Sequence, residues 1–210
     1  LKNNYNISRL AQWCMPRIVC RVPGKNHTLF LSFDDGPHPE STPVLLELLE
    51  SYSAKAMFFC VGTRAEKHPE LIENIRQAGH LVGNHAYTHK KMGWFNSSEY
   101  YAGIDKSAEI TKSNVFRPPY GFITPAAYRK LLKKYHIVLW DVMPGDFQPQ
   151  RSGFQLFNIV KAHAKPGSIL VFHDSPQHLS SKLVCLELLL SHYIEKLYRF
   201  ETPDFGNVKT

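Results

Sequence analysis

What this sequence does not contain removes several classes of protein. No apolar run approaches the roughly 18 residues of a membrane-spanning helix. The first twenty residues hold no apolar signal-peptide core, although a leader could already have been removed. The four cysteines, Cys14, Cys20, Cys60 and Cys185, form no C-x-x-C pair and no Cys/His finger spacing. Cys60 closes the apolar run Ala56-Met57-Phe58-Phe59-Cys60 and Cys185 sits in Leu183-Val184-Cys185-Leu186, so both read as small buried hydrophobes. Cys14 and Cys20 are near enough to pair, but nothing in the sequence requires it. No G-x-S-x-G elbow is present, and the adjacent residues of His173-Asp174-Ser175 cannot adopt triad geometry, which sets a serine hydrolase aside. Basic clusters are missing too. The net charge of +7 and pI near 9.2 suit an anionic partner. The positive residues are scattered, however, with only short pairs such as Lys90-Lys91 and Lys133-Lys134, so no nucleic-acid partner is expected.

What remains is an ordinary globular composition, 43% hydrophobic and 20% charged over 210 residues, enough for one domain with a sizeable core. There is no repeat and no linker. Residues 1–27 read as an irregular lead-in packed on the domain, 28–202 as a single α/β domain and 203–210 as a tail. Apolar runs at 29–33, 54–61, 80–84, 115–117, 137–140, 168–172 and 197–200 read as strands. Between them lie helical patterns. One is capped by Ser41 or Thr42 with Pro43 behind it, and Pro69–Ala78 is stopped by Gly79. Another opens at Ser97 or Ser98, one runs from Thr124-Pro125 to Lys134, and the last two are Phe154–Ala164 and Leu183–Lys196. The alternation predicts about seven strands in a parallel sheet or barrel.

The organising stretch is Leu29-Phe30-Leu31-Ser32-Phe33-Asp34-Asp35-Gly36-Pro37, a buried strand that delivers two neighbouring carboxylates to its C-terminal end. Adjacent acids repel, so each needs a cation or a proton. On its own the stretch reads as a surface turn. Directly after the third strand, His85-Ala86-Tyr87-Thr88-His89 places two imidazoles four residues apart, on one face if the segment makes a helical turn. With Asp35 they make an N, N, O ligand set that leaves a coordination position open, the pattern of a catalytic zinc. Arg117-Pro118-Pro119-Tyr120-Gly121 follows the fourth strand, its prolines holding the backbone extended. Trp140 to Phe147 follows the fifth with two acids and two aromatics. His173 ends the sixth. All of these fall just past strand C-termini, which a parallel α/β fold gathers at one end of the sheet.

In this order, the five segments resemble the motifs of the polysaccharide deacetylase (NodB-homology) family, carbohydrate esterase family four. The likeness runs from Ser32 to Ser175. It implies a distorted (β/α) barrel and the following roles. Asp34 is the general base, oriented by Arg117. Asp35, His85 and His89 hold the metal, zinc before other divalent transition metals. His173 is the general acid, supported by Asp146. Tyr120, through its backbone amide, and Pro119 belong to the oxyanion and substrate side, and Phe147 and Val171 line the acyl-methyl pocket. Three positions depart from the pattern: Ala86 replaces a hydroxyl residue that braces the metal loop, Phe147 stands for tryptophan and Val171 for leucine.

The resemblance implies an N-deacetylase releasing acetate from N-acetylglucosamine-type glycans such as peptidoglycan or chitooligosaccharides. An N-acetylated glycan is then the expected partner, and the cell envelope the expected setting if that glycan is cell wall. Three alternatives stand beside it. One is a non-haem iron oxygenase, which shares the two-histidine, one-carboxylate set. The others are a related amidase acting on a small non-sugar amide and a non-catalytic glycan-binding relative.

Overall fold

The first strand, β1 (Thr28–Asp34), is buried at all seven of its residues, because a strand with sheet neighbours on both sides and helices outside has no solvent face. The computed structural model describes residues 15–24, 26–93 and 98–206. After β1 come α1 (Thr42–Ser51), β2 (Ala56–Cys60), α2 (Gly62–Lys67), α3 (Pro69–Gln77), β3 (Leu81–Asn84) and α4 (Ser98–Thr111). The chain continues through β4 (Val115–Phe116), α5 (Pro125–Leu131), β5 (His136–Ile137), α6 (Gly153–His163), β6 (Ile169–His173), α7 (Leu179–Ile194) and β7 (Arg199–Phe200). Every strand pairing is parallel, in the order β5-β4-β3-β2-β1-β6, with β7 beside the start of β1. The expected alternating α/β architecture of seven parallel strands is therefore present. No helix among the described residues is long and apolar enough to cross a membrane.

The curl of the sheet is completed by single bridges rather than by an eighth strand. Val138 pairs with Val19, Val142 with Leu170 of β6, and Arg21 with Ser168. Residues 19–21 and 138–142 thus fill the gap between β5 and β6. This corrects the expected strand over 137–140: regular pairing stops at Ile137 because the residues beyond it change partners, from β4 to the lead-in and then to β6.

Side-chain alternation sorts the core into two layers. Leu29, Leu31 and Phe33 point outward to a helix-side cluster with Leu45, Leu49, Phe58, Leu186 and Leu189. Phe30 points into the curl with Met57, Phe59, Val138 and Ile169. Asp34, in phase with Phe30 and Ser32, therefore belongs to the interior.

Other boundaries shift as well. Helix α7 starts at Leu179, four residues before the expected Leu183, and α5 stops at Leu131, short of Lys134. Helix α2 has no counterpart in the sequence reading, being too short to show a period. Gly79 ends its helix as expected, at φ +77°, with its N–H on the Arg76 carbonyl at 2.8 Å. Thr124 caps α5, its side chain accepting from Ala127 N at 3.2 Å. Ser41 occupies the N-cap position of α1 as expected, but neither it nor Thr42 caps with its side chain; both hydroxyls donate to Asp174 instead, at 2.5 and 2.6 Å. The Cys14–Cys20 pairing and the Ser97 cap lie outside the described residues.

Candidate active site

Asp34 ends β1 with 4% of its surface exposed, facing Arg117 from the end of β4, which has none. Arg117 Nη1 meets Asp34 Oδ1 at 2.5 Å and Ser32 Oγ at 2.8 Å. Its remaining donors reach the carbonyls of Val138 (3.3 Å) and Leu139 (2.9 Å), and its guanidinium lies 3.9 Å above the Phe59 ring. A buried guanidinium is tolerated only when its donors are matched and its charge is paired, and both conditions are met here. Asp34 is thereby locked, its other oxygen lying 4.0 Å from His85 Nε2.

Strict strand alternation would send Asp35 to the opposite face from Asp34. The strand ends at Asp34, and Asp35 takes φ +76°, which breaks the alternation so that both acids line one cavity. His85 and His89 also reach that cavity, but not along a helical turn as the spacing alone suggested. The segment after β3 is a loop in which Ala86 and His89 hold φ of +60° and +52°. That loop is fastened from three sides. Ala86 N donates to Asn84 Oδ1 (2.8 Å), and the Ala86 carbonyl accepts from Gly62 N (2.9 Å) and Ser107 Oγ (3.2 Å). Asn84 and Ser107 thus hold the loop at Ala86, the position where the family pattern has a hydroxyl residue.

One ligand atom from each of Asp35, His85 and His89 lies within 4.8 Å of the others. Asp35 Oδ1 stands 3.0 Å from His89 Nε2 and 3.6 Å from His85 Nε2, yet it is buried without a hydrogen-bond partner. His85 Nδ1 sits 2.8 Å from the Arg117 carbonyl, which can only accept, so the proton resides on Nδ1 and Nε2 presents its lone pair. An orphaned carboxylate oxygen facing two imidazole nitrogens fits a divalent cation. Burial alone would raise the Asp35 carboxyl, but His89, His85 and His173 together pull it well below the usual range. Burial pushes His85 down against the opposing charges of Asp34 and Asp35, which favours the neutral, ligating form.

On the far wall, Asp146 holds His173 twice. Its Oδ2 accepts the His173 backbone N–H and its Oδ1 pairs with Nδ1, both at 2.8 Å. Burial would lower the His173 pKa; the charge and hydrogen bond of Asp146 outweigh it and push the imidazole up to about 9. Phe147 stands edge-on to that ring at 5.3 Å, and the Tyr120 ring is 4.9 Å from that of His89. Asp34, Asp35, His85, His89, Tyr120, Phe147, Val171 and His173 share one cavity of about 350 Å³ with Trp140 and Met143. Arg117 and Asp146 stand behind it, buried. Pro119 is buried in the 3₁₀ turn Pro119–Gly121 and is not part of the cavity lining, so it shapes the Tyr120 backbone, at φ +60°, rather than touching a ligand.

Sequence reasoning passed over Ser32, Asn84, Asp174 and Lys182. Only Lys182 carried a signal, a lysine in phase with the apolar stripe Cys185, Leu186 and Leu189.

Residues 21–140 match the family described as polysaccharide deacetylase. The chain is 34% identical over 180 residues to a peptidoglycan-N-acetylglucosamine deacetylase of Bacillus cereus, covering 82% of this chain and 65% of that protein. A second Bacillus cereus protein of the same name is 31% identical over 194 residues, covering 88% of this chain and 90% of its own length. The chain thus spans just under two thirds of the first relative and most of the second. A crystal structure of a peptidoglycan N-acetylglucosamine deacetylase in complex with 4-naphthalen-1-yl-N-oxidanyl-benzamide superposes with a TM-score of 0.85 at 30% identity. That superposition covers 91% of this chain and 93% of the other.

Proposed function

From the premise that this chain belongs to the polysaccharide deacetylase family, we propose that it is a metal-dependent hydrolase that removes N-acetyl groups from N-acetylglucosamine-type glycans and releases acetate. One observation carries the reading. One cavity brings together the carboxylate of Asp34 locked by Arg117, the imidazole of His173 paired with Asp146, and ligand atoms of Asp35, His85 and His89 that lie within 4.8 Å of one another.

The acetamide is an unactivated amide, so water must be made nucleophilic and the nitrogen must leave as an amine. A divalent cation, zinc by the N, N, O character of its donors, would be held by Asp35, His85 and His89 and would supply Lewis acidity toward water and the acyl carbonyl. Asp34 removes the proton from the attacking water, its orientation fixed by Arg117. As the carbonyl oxygen gains charge, the Tyr120 backbone N–H donates to it, at a backbone conformation set by the turn after Pro119. His173 then gives its proton to the departing nitrogen, a step of a kind worth about 10²–10⁴-fold. Asp146 keeps that proton available. Phe147 and Val171 enclose the acetyl methyl, and exposed Tyr120 and Phe147 offer rings against which a sugar can lie.

Acetate release from a panel of N-acetylglucosamine oligomers and peptidoglycan fragments tests this directly, with and without chelator and with Asp34→Asn. Both treatments are expected to abolish release. Asp34→Asn turning over at the wild-type rate would remove the assigned base, and no release from any member of the panel would remove the reading.

A further inference from the structure

Lys182 lies in the first turn and a half of α7 with 1% of its surface exposed. An ammonium stripped of water must find acceptors on several sides, and a leucine would fill the same inward position at no such cost. The acceptors it finds all belong to one place. Nζ donates to the backbone carbonyls of His173 and Ser175, the latter at 3.2 Å, and stands 3.6 Å from Asp146 Oδ2. His173 is consequently held at every polar point but one. Asp146 takes its backbone N–H and its Nδ1, Lys182 takes its carbonyl, and only Nε2 is left for the cavity. One residue further on, Asp174 is fully buried and accepts from Ser41 Oγ and Thr42 Oγ1 at the start of α1. The single ammonium thus sits in the field of two buried carboxylates, Asp146 and Asp174.

We propose that Lys182 is a positioning residue for proton donation: by clamping the carbonyls at and just past the end of β6 and bracing Asp146, it aims the His173 ring at the leaving nitrogen. The proposal rests on the deacetylase reading above. It differs from a purely structural role, in which Lys182 only neutralises buried acids. In that case its loss would depress all activities alike, or would be cured by removing one of the acids.

The experiment compares wild type, Lys182→Met and Lys182→Met/Asp174→Asn, with folding followed by circular dichroism. Each is assayed on an N-acetylglucosamine oligomer, whose amine must leave protonated, and on 4-nitrophenyl acetate, whose phenolate leaves without a proton. The expected result is a kcat on the glycan reduced about 10–100-fold with KM changed less than about twofold, and an ester rate within about threefold of wild type. The double variant removes one ammonium and one carboxylate together. It is expected to fold and keep the glycan defect, so it serves as the test if Lys182→Met alone does not fold. An unchanged glycan kcat, equal losses on both substrates, or recovery of glycan kcat in the double variant would each overturn the proposal. Wild type that cleaves the ester but no glycan overturns the deacetylase reading and this inference with it. Wild type active on the glycan with unaffected variants overturns this inference alone.

Discussion

Arg117 and Asp34, 83 residues apart in the chain, meet at 2.5 Å in an ion pair whose arginine has no exposed surface. The pair joins the end of β4 to the end of β1, so it is a tertiary tie as well as the contact that fixes the Asp34 carboxylate. Removing one partner leaves an uncompensated charge in the interior, a loss that typically costs about 3–5 kcal/mol. Arg117→Met is therefore expected to lower unfolding stability by that amount in urea titration and to abolish acetate release. Arg117→Lys is expected to keep a charge but lose the contacts to Val138 and Leu139, giving an intermediate stability and a lowered kcat.

His173 carries its proton to about pH 9 because of Asp146, against the lowering effect of burial. A raised pKa means the acid form is present below about 9 and is lost as pH rises through it. The alkaline limb of kcat is expected there in the wild type. In Asp146→Asn burial acts unopposed by that carboxylate, so the limb should move toward lower pH and kcat at pH 8 should fall. The same linkage gives the stability trend. The contribution of the pair on the His173 side is full below the ordinary histidine pKa of 6.5 and fades as pH approaches about 9. Thermal melts across that window check it, and a limb that stays in place in Asp146→Asn would contradict the assignment.

Cation binding has its own readout. Titration of chelated protein with Zn²⁺ in a calorimeter is expected to give one site per chain, lost in Asp35→Ala and His89→Ala and kept in Asp34→Asn. At a hundredfold excess over Kd, the ion should stabilise the fold by about 2.7 kcal/mol, visible as a higher Tm. Asp35→Ala should show no such rise.

Asn84 is buried and ties the loop of residues 85–89 to α4, Oδ1 accepting from Ala86 N and Nδ2 donating to the Ile104 carbonyl at 2.9 Å. Asn84→Ala removes both bonds and leaves the buried Ala86 N–H unmatched, while the Ile104 carbonyl keeps its bond within α4, for an expected loss of about 2 kcal/mol. Because Ala86 and His89 occupy left-handed backbone, the freed loop should also bind the cation more weakly. Calorimetry showing unchanged affinity in a folded Asn84→Ala protein would mean that the other two ties suffice.

How much could be read in advance depended on the range of the interaction. Strands β1, β2 and β6 were legible because an apolar run bounded by polar turns leaves few alternatives. The meeting of Asp34, Asp35, His85, His89 and His173 in one cavity was legible because parallel strands gather their C-terminal ends. Helix α2 was not, since six residues show no period. The early start of α7 was hidden because His178-Leu179-Ser180-Ser181 offers no apolar run. Ser41 and Thr42 look like caps in any local window and were diverted by Asp174, which is 132 residues away from Thr42.

The amino-acid order by itself determined the alternation of strands and helices, the burial of β1 and the placing of two acids, two histidines, an arginine and a last histidine at or just beyond strand ends. These follow from side-chain period and backbone restriction, which act over a few residues. Only the tertiary structure decided that Asp35 turns back beside Asp34, that the His85–His89 segment is a strapped loop rather than a helical turn, and that Lys182 reaches beneath His173. Those outcomes depend on which distant groups satisfy a buried charge or an unpaired oxygen, and no local pattern records that.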